Sequence, residues 1–321
     1  MSPRWISAAI LAAALAAGWL FWPGAEVEVT IPAGQSARQV AAALQGKGVV
    51  RSAWMFRVMA RLGSLGRRLK PGTYRLRRRM APWKLAAALA AGGGGVKIVI
   101  PEGFCARQIA ERLEAGGVCP AADFLRYVSD RRLEGYLFPT TYFFEPGAEA
   151  GRLAERMHAE FTRRAAGEFE RTDPKPGMTL HQAVTLASIV EREAVLKREQ
   201  PLVAAVYLNR MRRRMRLQAD PTVQYALGYW KQGLTSKDLQ TVSPYNTYVH
   251  YGLPPGPICN PGLDAVRAVL HPDQSDALYF VADMTGGHKF LATEEDHLKA
   301  KRTYKRALRE EKKRLSGKGR L

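Results

Sequence analysis

The sequence predicts an α+β protein with a single N-terminal transmembrane helix, a small β/α module next to it, and a larger mixed α+β domain. Three observations predict it. An uncharged run from Trp5 to Trp22 opens the chain, a strand–turn–helix pattern then occurs twice, and a long helical pattern from Leu180 is followed by a loop rich in proline and glycine. The boundaries read as 1–24 for the anchor, 25–95 for the small module, 96–312 for the larger domain and 313–321 for a basic tail.

The run WISAAILAAALAAGWLFW is long enough, at about 1.5 Å per residue, to cross a bilayer core. Small residues between Ala12 and Ala17 also suit a cleaved signal peptide. Trp5 at one end and Trp19, Phe21 and Trp22 at the other resemble interface anchors and favour an uncleaved helix. Arg4 in front and Glu26 and Glu28 behind put the N-terminus in the cytoplasm and everything after residue 24 outside, on a single-pass cell-membrane protein.

With 321 residues, 46% of them hydrophobic, the chain can bury a real core. Its net charge of +20, from 49 Lys and Arg against 29 Asp and Glu, raises the question of nucleic acid. No nucleic-acid module accompanies the charge, and an exported body argues against such a partner. The clusters Arg75 to Arg79, Arg212 to Arg216 and Lys299 to Arg314 suit solvated helix faces or surfaces drawn to anionic lipid and wall polymer. Cys105 and Cys119 stand roughly 15 Å apart on a helix, beyond the about 7 Å that a disulfide allows, and the three cysteines match no zinc spacing. No metal or cofactor is expected.

Two segments match at an offset of 69 residues, VTIPAGQSARQVAAALQGKGVV from Val29 and IVIPEGFCARQIAERLEAGGVC from Ile98. Each reads as a strand, a Pro/Gly turn, a helix starting at Ser36 or Cys105, a glycine stop and a second helix. Between them come a strand (Gly72 to Leu76), a helix (Pro82 to Ala91) and the run Gly92 to Gly95, which marks a boundary. Ordinary β–α packing explains the repeat. So does a small glycan-binding module resembling LysM, which would hold a polymer near the membrane.

LHQAVTLASIVEREAVLK, from Leu180, is helical by composition and period. On a wheel of about 100° per residue, Glu191 falls amid an apolar face of Leu180, Ala183, Val184, Ala187, Val190 and Ala194. Glu193 lies roughly 160° away beside Leu186 and Ile189, so the two acids are not expected to enter one cleft. A carboxyl on a buried face is either a general acid with a raised pKa or half of an ion pair with an arginine. Asp220, followed by Pro221, has the look of a helix N-cap. Ser243 to Gly262 offers Tyr245, Asn246, Tyr248, His250 and Tyr251 on stiff backbone, suited to stacking on sugar rings or to a structural clasp. His288 is a lone histidine with a structural reading. There is no GxSxG, HExxH, phosphate-loop or CxxC motif.

LEGYLFPTTYFF (from Leu133), LASIVEREA (from Leu186), LQADPTVQYALG (from Leu217) and SPYNTYVHYGLPPGPICNPG (from Ser243) together resemble the endolytic murein transglycosylase family, the MltG or YceG-like proteins. The resemblance runs from the anchor to the strands around Tyr279 to Phe290. It implies a LysM-like module and a catalytic domain that cuts the bond from N-acetylmuramic acid to N-acetylglucosamine inside nascent peptidoglycan strands. The product carries a 1,6-anhydro end, and strand growth beside the synthases (penicillin-binding proteins) is limited. It assigns Glu191 as catalytic residue, with Gln218, Asp220, Tyr245, Asn246 and Tyr248 as candidates for holding the sugar. Thr140, Cys259 and Leu298 depart from the family pattern, the first removing a carboxylate. One acid suffices because the C6 hydroxyl of the sugar itself attacks C1, where a hydrolase uses two carboxylates. The competing reading is a non-catalytic peptidoglycan-binding scaffold of the synthesis machinery.

Overall fold

The computed structural model describes residues 24–32, 35–62, 72–91, 95–172, 177–231 and 233–318. The run from Trp5 to Trp22 on which the transmembrane expectation rests, Gly92 to Gly94 and the last three residues of the basic tail lie outside them. None of the helices among the described residues is long and apolar enough to cross a membrane.

The chain forms two compact units, the first holding the described residues up to Val99 with 112–120 and 141–149. Its elements are β1 (Glu26–Ile31), α1 (Ala37–Gly46), α2 (Ala53–Leu62), β2 (Gly72–Arg77), α3 (Pro82–Ala91) and a second strand pair, β3 (Val96–Val99) with β4 (Thr141–Phe144). β1 pairs antiparallel with β2, Val29 opposite Tyr74. Period-two alternation turns Val29 and Ile31 inward and leaves Glu26, Glu28 and Thr30 outside. Val40, Ala41 and Leu44 of α1 close that core with Phe56, Leu85 and Leu89. The repeat is visible as geometry. Ser36 and Gln39 form a capping box at the start of α1, and Gly48 stops it with a left-handed φ of 72°. In the second copy, α4 (Ala106–Ala115), Gly117 repeats the stop at 66°, but Cys105 stands where Ser36 stood.

The second unit comprises 100–111, 121–140 and the described residues from Ala150. It contains α5 (Ala121–Asp130), α6 (Ala150–Phe161), a π-helical turn (Thr162–Ala166) leading to α7 (Gly167–Arg171), α8 (Leu180–Glu193), α9 (Gln200–Arg212), α10 (Asp220–Leu227), α11 (Leu263–Leu270), the hairpin β5 (Tyr279–Ala282) with β6 (His288–Leu291), and α12 (Glu294–Lys318). α8 starts on a capping box between Thr179 and Gln182. It ends at Glu193, short of the sequence expectation, because Ala194 turns extended. A 3-10 turn (Lys197–Glu199) then leads into α9, whose first turn holds Pro201, a residue tolerated there and not inside a continued helix.

Every residue of α8 from Ala183 to Val190 is buried. The wheel presumed one buried face, whereas α9, α10 and α11 pack around this helix and make its opposite face interior as well. Acids on both sides of α8 therefore meet enclosed surroundings.

Candidate active site

Where α8 ends, a cavity of about 390 Å³ opens in the second unit. Glu193 lines it, together with Tyr207 and Arg210 of α9, Gln218 and Asp220 before and at the start of α10, and Tyr248. Phe280, His288, His297 and Lys301 form the wall built by β5, β6 and α12. Its size is that of a small-ligand pocket.

Buried Tyr207 donates its hydroxyl to Glu193 Oε1 at 3.0 Å. Desolvation, reinforced by the negative Asp220 beside it, pushes the Glu193 carboxyl up to about 7 against the pull of Tyr207, Arg210 and Arg192. An acid so placed keeps its proton near neutrality and can give it away. Arg210 acts on Glu193 by its charge and not by a hydrogen bond, because its donors go elsewhere, Nε to the Leu278 carbonyl at 2.6 Å and a terminal nitrogen to the Leu217 carbonyl at 2.8 Å and to Gln218 Oε1 at 3.4 Å. That guanidinium ties the start of β5 to the strand-like approach to α10.

Gln218 adopts a left-handed φ of 52°, and its N–H donates to the Thr247 carbonyl at 3.1 Å. The Thr247 hydroxyl accepts from Ala219 N–H at 3.0 Å and shares a bond with the Thr222 hydroxyl. Buried Thr247 thus pins two loops together. The pin brings the Tyr248 hydroxyl to Asp220, where it donates at 2.6 Å. Asp220 is not the helix N-cap anticipated from Asp-Pro; Ala219 holds that position and leaves the carboxylate free to face the cleft.

Glu191 is not among the cleft-lining residues. Its carboxylate accepts the Gly262 N–H at 3.0 Å at the start of α11. Burial raises its pKa against that bond, with Glu102 and Asp264 nearby adding to the rise and Lys197 opposing it. Lys197 bridges Glu102 at 2.7 Å and Asp264 at 2.9 Å. Of the other candidates, Asn246 is a clasp. It is fully buried, and its amide donates to the carbonyls of Leu239 and Thr241 while accepting from Tyr248 N–H. Tyr245 packs its ring against Tyr225 at 4.9 Å and does not line the cleft.

The residue pattern of the YceG-like family matches residues 29–303. The chain belongs to the YceG-like family. Relatives of this YceG-like chain include an endolytic murein transglycosylase of Bacillus subtilis, 32% identical over 87% of this chain and 84% of the relative. Another of the same name from Streptococcus pneumoniae is 30% identical over 84% of this chain, which spans 57% of that protein. A crystal structure of a YceG-like protein from Listeria monocytogenes covers 85% of this chain and 98% of that one, with a TM-score of 0.64 at 34% identity.

Two side chains of the YceG-like second unit hold places that the sequence reading does not assign to them. Glu134, inside the LEGYLFP segment, accepts the Ala106 N–H with both oxygens (3.1 and 3.0 Å), the Asn260 amide at 3.1 Å and the Tyr225 hydroxyl at 3.4 Å. It supplies the cap that Cys105 cannot, and burial pushes its carboxyl up to about 7. His288 donates its Nδ1–H to Glu199 Oε2 at 2.7 Å and lines the cleft. The only sequence signal for it was a histidine after paired glycines. Cys105, Cys119 and Cys259 are buried free thiols, and among the described residues no group of three metal-ligating side chains converges.

Proposed function

We propose that this chain is an endolytic murein transglycosylase that cuts peptidoglycan glycan strands between N-acetylmuramic acid and N-acetylglucosamine, with Glu193 as its catalytic acid. The observation that carries the reading is the Glu193 carboxyl, held by the Tyr207 hydroxyl and pushed up by burial, in a cleft of small-ligand size shared with Gln218, Asp220 and Tyr248. Family membership and the names of the relatives support the same reaction class.

Protonated Glu193 gives its proton to the glycosidic oxygen as the C1–O bond breaks, and the C6 hydroxyl of the same sugar gives up its proton to a base of the cleft and closes on C1 to form the 1,6-anhydro end. Attack within one ring gains effective molarity provided the cleft holds the sugar near its reactive shape. Asp220, oriented by Tyr248, faces the electron-poor C1 region and stabilises positive charge there. The reading extends to membrane attachment through the Trp5 to Trp22 run with the body outside the cytoplasm, to glycan binding by the first unit, and to synthases as neighbours.

The test compares Glu193→Gln with Glu191→Gln on purified glycan strands. Glu193→Gln is expected to lower cleavage about 10³-fold while Glu191→Gln stays near wild type; the opposite ranking restores Glu191. Asp220 gives hydrolysis a foothold as a second reading, since hydrolases pair two carboxylates. Mass spectrometry separates the two, because hydrolysis adds one water to the product.

A further inference from the structure

The cleft holds two imidazoles that the single-acid scheme does not use. We propose that His288, its ring fixed by Glu199, is the base that receives the C6 hydroxyl proton while Glu193 protonates the leaving oxygen. This rests on the transglycosylase reading and deepens it by dividing proton donation and acceptance between two residues.

The hairpin is built to seat this ring. Glu199 takes the His288 backbone N–H on Oε1 at 3.1 Å and Nδ1 on Oε2 at 2.7 Å, so one carboxylate grips both main chain and side chain. A carboxylate only accepts, which places a ring proton on Nδ1, so that in the neutral ring Nε2 is the lone-pair nitrogen. Gly287 permits the grip, because a Cβ there would stand 2.5 Å from Glu199 Oε1. Asp283 shapes the preceding turn by accepting from the N–H groups of Thr285 and Gly287. Phe280 meets the ring edge to face at 5.3 Å and restricts its rotation.

Comparison with the other histidines sharpens the assignment. His181 is a structural histidine with both nitrogens engaged, Nδ1 by the Tyr136 hydroxyl at 2.7 Å and Nε2 by the Pro255 carbonyl at 2.9 Å. His288 has one nitrogen engaged; among the described residues Nε2 has no partner and is not a buried orphan, and the residue lines the cleft. His297 also lines the cleft, stacked on Tyr279 at 5.1 Å, but among the described residues no carboxylate is hydrogen-bonded to its ring and its Nδ1 is buried without a partner. Burial and the charges of Lys301 and Arg210 oppose its protonation.

In the step, the C6 oxygen bonds to C1 and passes its proton to His288 Nε2, the C1–O glycosidic bond breaks, and the departing oxygen keeps the proton of Glu193. The enzyme is left with an imidazolium paired to Glu199 and a Glu193 carboxylate. A proton relayed through solvent from one to the other restores both, with no net uptake or release.

The test is the pH profile of kcat/KM on glycan strands, with the mass of the anhydro product followed, for wild type, His288→Gln and Glu199→Gln. Glu199 is bonded to the ring, Asp283 interacts with it electrostatically, and Glu193, Asp220, Arg210, His297 and Lys301 share the cleft with it. Wild type is expected to show an acid limb, because the base must be neutral, besides an alkaline limb from Glu193. His288→Gln is expected to fall about 10²-fold or more and to lose the acid limb while keeping the alkaline one. Glu199→Gln can donate its amide to Nδ1 and turn a protonated Nε2 toward the sugar, lowering kcat with little change in KM. An acid limb that survives in His288→Gln, or near-wild-type cleavage by it, overturns the proposal. Should His288→Gln fail to fold, Glu199→Gln decides alone: an unchanged profile overturns the proposal and a lowered kcat with an altered acid limb sustains it. A wild-type product heavier by one water would instead overturn the transglycosylase reading.

Discussion

Glu191 and Glu193 stand two residues apart on α8 and meet opposite surroundings, one on a backbone N–H of Gly262, the other in a cleft beside a tyrosine hydroxyl. The chemistry proposed for Glu193 needs its proton, so strand cleavage is expected to decline as pH rises through about 7, and a pH–rate series on soluble strands checks it. Glu134 makes a matching prediction for stability. Its folded pKa of about 7 lies above the ordinary 4.5, so the folded state holds the proton more tightly than the unfolded one. That contribution is fully present below about pH 4.5 and is lost as pH rises through about 7, on the order of 3 kcal/mol in all. Glu134→Gln, neutral at every pH, is expected to flatten this stretch of the stability curve in denaturant titrations; an unaltered slope would count against it.

At the scale of elements, α8 organises the second unit, and two contacts at its ends and middle can be measured. Thr179→Ala removes a capping box and is expected to cost about 1 kcal/mol, seen as a lower Tm. Ser188 is buried on α8, where its hydroxyl accepts the Ile258 N–H at 3.0 Å and donates to the Thr185 carbonyl. Ser188→Ala leaves that buried N–H unpaired and is expected to cost about 1–3 kcal/mol in the same measurement. Cys259, where the family pattern suggests a smaller side chain, directs its thiol to the Ser188 carbonyl at 3.2 Å in the same junction. These small contacts hold the Pro/Gly-rich loop onto the helix that carries Glu193, and Thr247 holds its other end onto the approach to α10.

For the molecule as a whole, a net charge of +20 favours an anionic wall polymer over long range. Sedimentation of the soluble body with purified sacculi is therefore expected to weaken as salt rises from low ionic strength past 0.15 M, roughly where screening sets in within about 8 Å. Binding indifferent to salt would assign the attachment to stacking and hydrogen bonds instead.

Much was legible in the sequence because it is written in local rules. The repeat with its Gly48 and Gly117 stops, the start of α8 at Leu180 and the four family motifs all depend on residues close together along the chain. Of the five candidates for holding the sugar, Gln218, Asp220 and Tyr248 meet in the cleft, while Tyr245 and Asn246 do not line it. The choice between Glu191 and Glu193 was not local. A helical wheel ranks faces by their own residues, but burial is decided by what packs against each face, and α8 is surrounded. The pairing of Glu199 with His288, and of Glu134 with Ala106, Asn260 and Tyr225, likewise joins residues distant in sequence, whose approach only tertiary packing sets. The sequence by itself determined the family resemblance and the candidate parts; the tertiary structure decided which carboxyl lines the cleft and which meets the Gly262 N–H, because desolvation and partnership are properties of neighbours in space.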